Sequence, residues 1–123
     1  MAAYVGLILF LGSRPHLRSP ITFPMWDKVA HFGEYGVLGF LAHGAFGGTS
    51  GSSGRARPGR MALVMLAGIG VGLTDEWIQS WTPGREASLY DLVADCGGLL
   101  LGVGLGHLLA SRLGRTRQGE AGA

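Results

Sequence analysis

The chain has 123 residues, enough for one compact unit but not for two domains of ordinary size. Hydrophobic residues make up 47% of it and charged residues only 15%, too few charges to cover a water-soluble surface. The net charge is +2, and no basic run is interleaved with aromatic residues, which excludes a nucleic-acid-binding surface of the usual kind. The single cysteine, Cys96, has no partner for an internal disulfide.

Four apolar stretches follow one another along the chain. The first, 2–12, has about half of the ~20 residues that a full membrane span needs, so we expect a short or tilted helix, or part of a longer one. A proline-rich segment comes next, and the other three stretches are joined by a Gly/Ser/Arg-rich loop and a tight turn. Those three stretches are 27–46, 61–81 and 88–113.

These stretches predict an all-α fold, a polytopic membrane helix bundle with about four transmembrane helices. We expect a multi-pass protein of the cell membrane, surrounded by membrane lipids. One transmembrane domain, 1–113, is followed by a polar tail, 114–123, that we expect to be disordered.

Glycine is unusually frequent, and on two of the predicted helices it recurs at a spacing of four. Gly98, Gly102 and Gly106 form two overlapping GxxxG steps, and Gly68 and Gly72 repeat the spacing. Such small residues let membrane helices approach closely. We therefore expect close helix packing on this face, with a homo-oligomer through Gly98, Gly102 and Gly106 as the alternative.

The distribution of basic residues predicts the orientation. With four spans, the loop 47–60 and the C-terminal tail lie on one side, and the positive-inside rule assigns the more basic side to the cytoplasm. Six basic residues fall on that side, namely Arg55, Arg57, Arg60, Arg112, Arg115 and Arg117. Four fall on the other, namely Arg14, Arg18, Lys28 and Arg85. Both termini are therefore expected in the cytoplasm.

The polar and ionisable residues gather where the second span begins, the third ends and the fourth begins. Steps of three and four place each group on one helix face, so three polar stripes are expected to form a pocket at the non-cytoplasmic end of the bundle. The predicted pocket residues are Asp27, Lys28, His31, Tyr35, Glu76, Gln79, Arg85, Ser88, Asp91 and Asp95.

Simpler roles exist for some of these residues. Asp27 and Ser88 can each cap a helix N-terminus, and charged residues at helix ends can extend to the membrane interface. His16, His43 and His107 are interpreted as incidental. We expect no cofactor and no metal, because no ligand spacing demands one, although carboxylates near a histidine also suit a divalent cation.

Two motifs give this chain a family resemblance. Residues 27–35, DKVAHFGEY, resemble the DKxxHFxxY motif of VanZ-like proteins. Glu76 and Gln79, the sequence Pro83-Gly84-Arg85, and then Ser88, Asp91 and Gly98 resemble that family's ExxQ, PGRxxSxxD and G pattern. The family usually has asparagine where this chain has Asp95, which adds a negative charge or a protonated acid here.

The resemblance implies a membrane protein of the bacterial envelope, because the founding member is associated with resistance to the glycopeptide teicoplanin. We expect the pocket to recognise a lipid headgroup, a lipid-linked cell-wall precursor or a glycopeptide, with Arg85 and Lys28 holding a phosphate or carboxylate. One alternative is a membrane-embedded enzyme acting on a lipid-linked phosphate, with His31 or Glu76 as general base. A small transporter is another.

Overall fold

The computed structural model describes residues 1–15, 25–46 and 58–121 of the chain. Most of the proline-rich segment, with His16, and nearly all of the loop predicted at 47–60 lie outside these ranges. The described residues form four helices and no strand, which confirms the all-α prediction. The helices are α1 (Ala2–Gly12), α2 (Trp26–Phe46), α3 (Pro58–Ser80) and α4 (Leu89–Ala121).

Two of these helices are long and apolar enough to cross a membrane, over Gly59–Ser80 in α3 and Leu89–Gly114 in α4. Only 28% of the most apolar window of each is buried inside the protein. Large apolar side chains such as Leu63, Leu66 and Val93 therefore point outward, each about two-thirds exposed. A water-soluble protein would bury such side chains in its core, whereas a bilayer solvates them.

Helix α4 is longer than the sequence predicted. It continues beyond residue 113 to Ala121, so the predicted disordered tail is helical over most of its length. Residues 114–121 contain no proline, and five of the eight are arginine, glutamine, glutamate or alanine, which favour helix.

The close contact at the centre of the bundle joins α4 to α2. A Cβ atom on Gly102 would collide with the backbone of Gly36, and one on Gly98 would collide with the carbonyl group of Phe32. A Cβ atom on Gly106 would lie 2.9 Å from the ring of His43. The glycine face is thus buried within one chain, which confirms close helix packing. A homo-oligomer through these glycines stays a prediction, since only the single chain is described and there α2 covers them.

Helix α1 packs beside α2 and α3. The Tyr4 hydroxyl donates a hydrogen bond to the carbonyl oxygen of Glu34 at 3.1 Å. At the other end of α1, Gly12 lies directly against the side chain of Asp75. Ile8 joins Tyr35, Leu38 and Leu99 in the apolar core. The end of α1 therefore shares one end of the bundle with the end of α3.

A tight turn and a cap set the geometry between α3 and α4. The N–H of Arg85 bonds to the carbonyl oxygen of Thr82 at 3.1 Å, and Gly84 has φ of 81°. Proline followed by a positive-φ glycine is the pattern of a type II turn. The Ser88 hydroxyl accepts a hydrogen bond from the N–H of Tyr90 at 3.2 Å, as an N-cap does.

Candidate functional site

A buried hydrogen-bonded chain connects the three longer helices at one end of the bundle. Nδ1 of His31 on α2 lies 2.9 Å from Oδ1 of Asp95 on α4. Nε2 of Gln79 on α3 lies 3.4 Å from Nε2 of His31 and donates to Oδ2 of Asp75 at 2.9 Å. His31 thus contacts both neighbouring helices, and which of its ring nitrogens donates depends on the tautomer.

An ion pair lies beside this chain, nearer the surface. Nζ of Lys28 donates to Oδ1 of Asp91 at 2.8 Å and to Oδ2 of Asp27 at 2.6 Å. The Asp91 side chain is 4% exposed, whereas that of Asp27 is 58% exposed. Lys28 thus neutralises the buried carboxylate of Asp91 on α4, and its ammonium group already has two carboxylate partners.

Glu76 links the cluster to the start of α4. Its Oε2 accepts a hydrogen bond from the backbone N–H of Ser88 at 2.7 Å, which ties the last turns of α3 to the N-cap of α4. Its Oε1 is buried without a partner among the described residues. The same holds for Oδ1 of Asp75, Oδ2 of Asp95 and the hydroxyl of Tyr35.

We call the buried set of His31, Asp75, Glu76, Gln79, Asp91 and Asp95 the polar cluster. Its carboxylates outnumber the nearby cations, because Lys28 is shared between Asp91 and Asp27. Removing a charge from water without a partner is costly, and an orphaned buried polar atom adds to that cost. An arrangement of this kind is typical of a site whose remaining partners come from outside the chain.

Arg85 differs from Lys28 because it forms no ion pair among the described residues at this end of the bundle. Its guanidinium makes no ion pair or side-chain hydrogen bond there, and its side chain is half-buried. Its charge nevertheless acts on Glu34 and Asp75. The type II turn therefore holds the Arg85 cation at the edge of the polar cluster. The N–H donors of its guanidinium have no side-chain partner among the described residues.

The polar cluster lies close to a ring of exposed aromatic side chains. Trp77 and Trp81 at the end of α3 are 65% and 76% exposed, and Tyr90 at the start of α4 is 76% exposed. Tryptophan and tyrosine are enriched where a membrane meets water. Such side chains favour a membrane–water interface near this end of the bundle.

Five of the ten predicted pocket residues belong to the polar cluster, namely His31, Glu76, Gln79, Asp91 and Asp95, and Lys28 is bonded to Asp91. Tyr35 lies in the apolar core, and Arg85 makes no side-chain hydrogen bond among the described residues. Ser88 caps α4 with its hydroxyl and meets Glu76 through its backbone. Asp27 lies at the exposed rim instead of inside the cluster. His43 and His107 lie apart from the cluster, with ring centroids 5.9 Å from each other.

The sequence analysis left out one central residue, Asp75. Its side chain is 2% exposed and binds Gln79, four residues further along the same helix. The i, i+4 spacing of Asp75 and Gln79 was the available signal.

A family comparison agrees with the motifs. Residues 3–110 match the sequence profile of the family described as VanZ/LLP1. No match to the chain was found among curated proteins or among solved structures.

Proposed function

This chain belongs to the VanZ/LLP1 family, and from that membership we propose a multi-pass cell-membrane protein that recognises an anionic envelope molecule at its polar cluster. The ligand class is a lipid headgroup, a lipid-linked cell-wall precursor or a glycopeptide. The founding member of the family is associated with teicoplanin resistance, which favours recognition of a cell-envelope molecule as the role of this chain. The single observation that supports a recognition site is the buried cluster with unpartnered polar atoms near one membrane interface.

The proposed membrane arrangement follows from helix length. At about 1.5 Å per residue, the 21 residues of α2 extend for ~31 Å, enough to cross the hydrocarbon core beside α3 and α4. The 11 residues of α1 extend for only ~16 Å and enter part of the way. The C-terminal end of α4 lies in the cytoplasm, and the polar cluster opens to the outer face.

Within the site, Arg85 is the anion-binding residue. Lys28 was expected to share this role, but its two carboxylate partners support a structural role instead. A free guanidinium can bind phosphate or carboxylate through two parallel hydrogen bonds. Arg85 on its turn therefore selects the anionic group, while the buried side chains shape the space beside it.

Binding by the full chain in lipid nanodiscs tests this role. The probe is a short-chain polyprenyl diphosphate, compared with the neutral polyprenol. We expect Arg85→Gln to weaken diphosphate binding by about 10- to 100-fold, the equivalent of one charged hydrogen-bonded contact. Arg112→Gln is the matched control, an exposed arginine on the same chain far along α4, and should leave binding unchanged. Equal affinity of the two variants, or equal binding of polyprenol, contradicts the proposal.

Cysteine labelling of intact cells tests the orientation. In a Cys96→Ser background, single cysteines replace Glu86, at the cluster end, and Gly59 and Gly114, at the opposite end, all three exposed. An impermeant thiol reagent should label position 86 alone. Labelling of positions 59 and 114 alone reverses the orientation and directs the search to cytosolic ligands.

A membrane-embedded hydrolase or transferase is the second candidate. The unpartnered Oε1 of Glu76 near His31 favours it, because such a carboxylate can accept a proton from an attacking water or hydroxyl. In this case Glu76→Gln should retain diphosphate binding and abolish phosphate release. No product from the unmodified chain argues for recognition alone, and loss of binding together with product contradicts a general-base role for Glu76.

A further inference from the structure

We propose that His31, Glu76 and Asp95 form a binding site for a divalent transition-metal ion. One nitrogen of His31 and one carboxylate oxygen from each acid lie within 4.8 Å of one another, and all three residues are buried. They come from three different helices, α2, α3 and α4. The sequence analysis expected no metal, because no two of these ligands are close in sequence.

The unpartnered atoms provide a second observation. Oε1 of Glu76 and Oδ2 of Asp95 accept no hydrogen bond from the described residues, although their side chains are at least nine-tenths buried. A buried acceptor without a donor has lost its hydrogen bonds to water without replacement, and the cost is larger when the acceptor is charged. A bound cation satisfies both oxygens, whereas ordinary helix packing leaves both unsatisfied.

Charge balance selects the valence of the ion. Two carboxylates and one neutral imidazole have a charge of −2, which a divalent cation neutralises in a region of low dielectric constant. Ligation requires the imidazole nitrogen to be free of its proton, so binding releases protons and weakens as the solution becomes acidic.

Ligand spacing and type select the class of metal. Two ligands held about 2.1 Å from one ion are ~3.0–3.4 Å apart, and Nδ1 of His31 is already 2.9 Å from Oδ1 of Asp95. The ligand oxygen of Glu76 lies within 4.8 Å of the other two ligand atoms, so the three must draw closer together around an ion. Imidazole with two carboxylates suits manganese, iron or zinc better than magnesium or calcium, which prefer oxygen ligands alone. Three protein ligands leave positions open for water or a phosphate oxygen.

Manganese binding to the full chain tests the site. The protein, purified in detergent and stripped with a chelator, is titrated with Mn²⁺ while the free ion is followed by electron paramagnetic resonance. We expect one ion per chain, displaced by Zn²⁺. Glu76→Gln and Asp95→Asn should each weaken binding at least about tenfold. Glu86→Gln is the matched control, because Glu86 is exposed outside the cluster, and should not change the affinity.

A second measurement is made on the unmodified chain, so it does not depend on whether a variant folds. Pulsed electron paramagnetic resonance of bound Mn²⁺ should show coupling to one imidazole nitrogen, and His107→Gln should leave that coupling in place. The assignment is overturned by failure to bind Mn²⁺ or Zn²⁺ at millimolar concentration, by binding without nitrogen coupling, or by folded variants that bind as well as the unmodified chain. Because the probe is the metal alone, the result is separate from that of the diphosphate assay.

Discussion

The contact between α2 and α4 supports a quantitative prediction about Gly102. In Gly102→Ala the new methyl group would lie 2.8 Å from the nitrogen of Phe40 and 2.9 Å from the carbonyl carbon of Gly36, and nearer still to the carbonyl oxygen. Carbon atoms at ordinary contact are about 3.5 Å apart or more, so the α2 backbone must retreat by at least ~0.7 Å. A helix backbone cannot turn aside as a side chain does, so the substitution separates the two helices.

The expected magnitude follows from the cost of overpacking. Extra volume in a well-packed contact costs about 1–3 kcal/mol. The matched control is Gly104→Ala on the same helix, where an added methyl group meets nothing within 4 Å. That control gains up to ~1 kcal/mol in helix propensity. Gly102→Ala gains the same helix propensity, so the two alanine variants should differ by the overpacking cost alone, about 1–3 kcal/mol, with Gly102→Ala the less stable.

Equilibrium unfolding in mixed micelles, with SDS as denaturant and circular dichroism as the signal, measures this difference. Both variants should first elute as a single species of the same size as the unmodified chain. Equal stability of the two variants refutes the reasoning, since it means that Gly102 does not face α2. Lower stability of Gly104→Ala alone would assign the helix contact to the opposite face of α4.

Three further predictions concern the polar end of the bundle and use the same unfolding measurement. Lys28→Met leaves the buried Asp91 unpaired and should cost about 3 kcal/mol, whereas Asp27→Asn, at the exposed rim, should cost less than ~1 kcal/mol; equal costs would contradict the buried pair. Gly84→Ala forces an alanine to φ of 81° and should cost about 1–2 kcal/mol; an unchanged stability excludes the type II turn. Ser88→Ala removes the cap of α4 and should cost ~1 kcal/mol, most of which Ser88→Thr should restore.

The residue pattern alone determined the helices and much of the site. Continuous apolar stretches can satisfy their backbone hydrogen bonds in a membrane only as helices or closed barrels, and their length distinguishes the two. Steps of three and four placed His31 with Tyr35, and Asp91 with Asp95, on single faces before any contact was known. The motifs of the family also identified His31, Tyr35 and Asp91, but not Asp95. The polar end of α4 was not predicted as helix, because a search for apolar stretches finds membrane spans and does not detect a polar helix.

Only the tertiary structure determined which residues of the three polar stripes bond to one another. Asp75 and Glu76 are neighbours in sequence, yet Asp75 binds Gln79 and Glu76 reaches Ser88 across the turn. Among the described residues Lys28 has an ion-pair partner and Arg85 has none, which spacing along one helix cannot reveal.

The partner of a polar side chain depends on which helix lies opposite. Here the glycines of α4 determine that the opposite helix is α2. They let α2 approach closely enough for His31 to contact Asp95, 64 residues away in sequence. Helix periodicity fixes the direction of a side chain about its own axis. The packing of separate helices, governed by close approach between their backbones, fixes what that side chain meets.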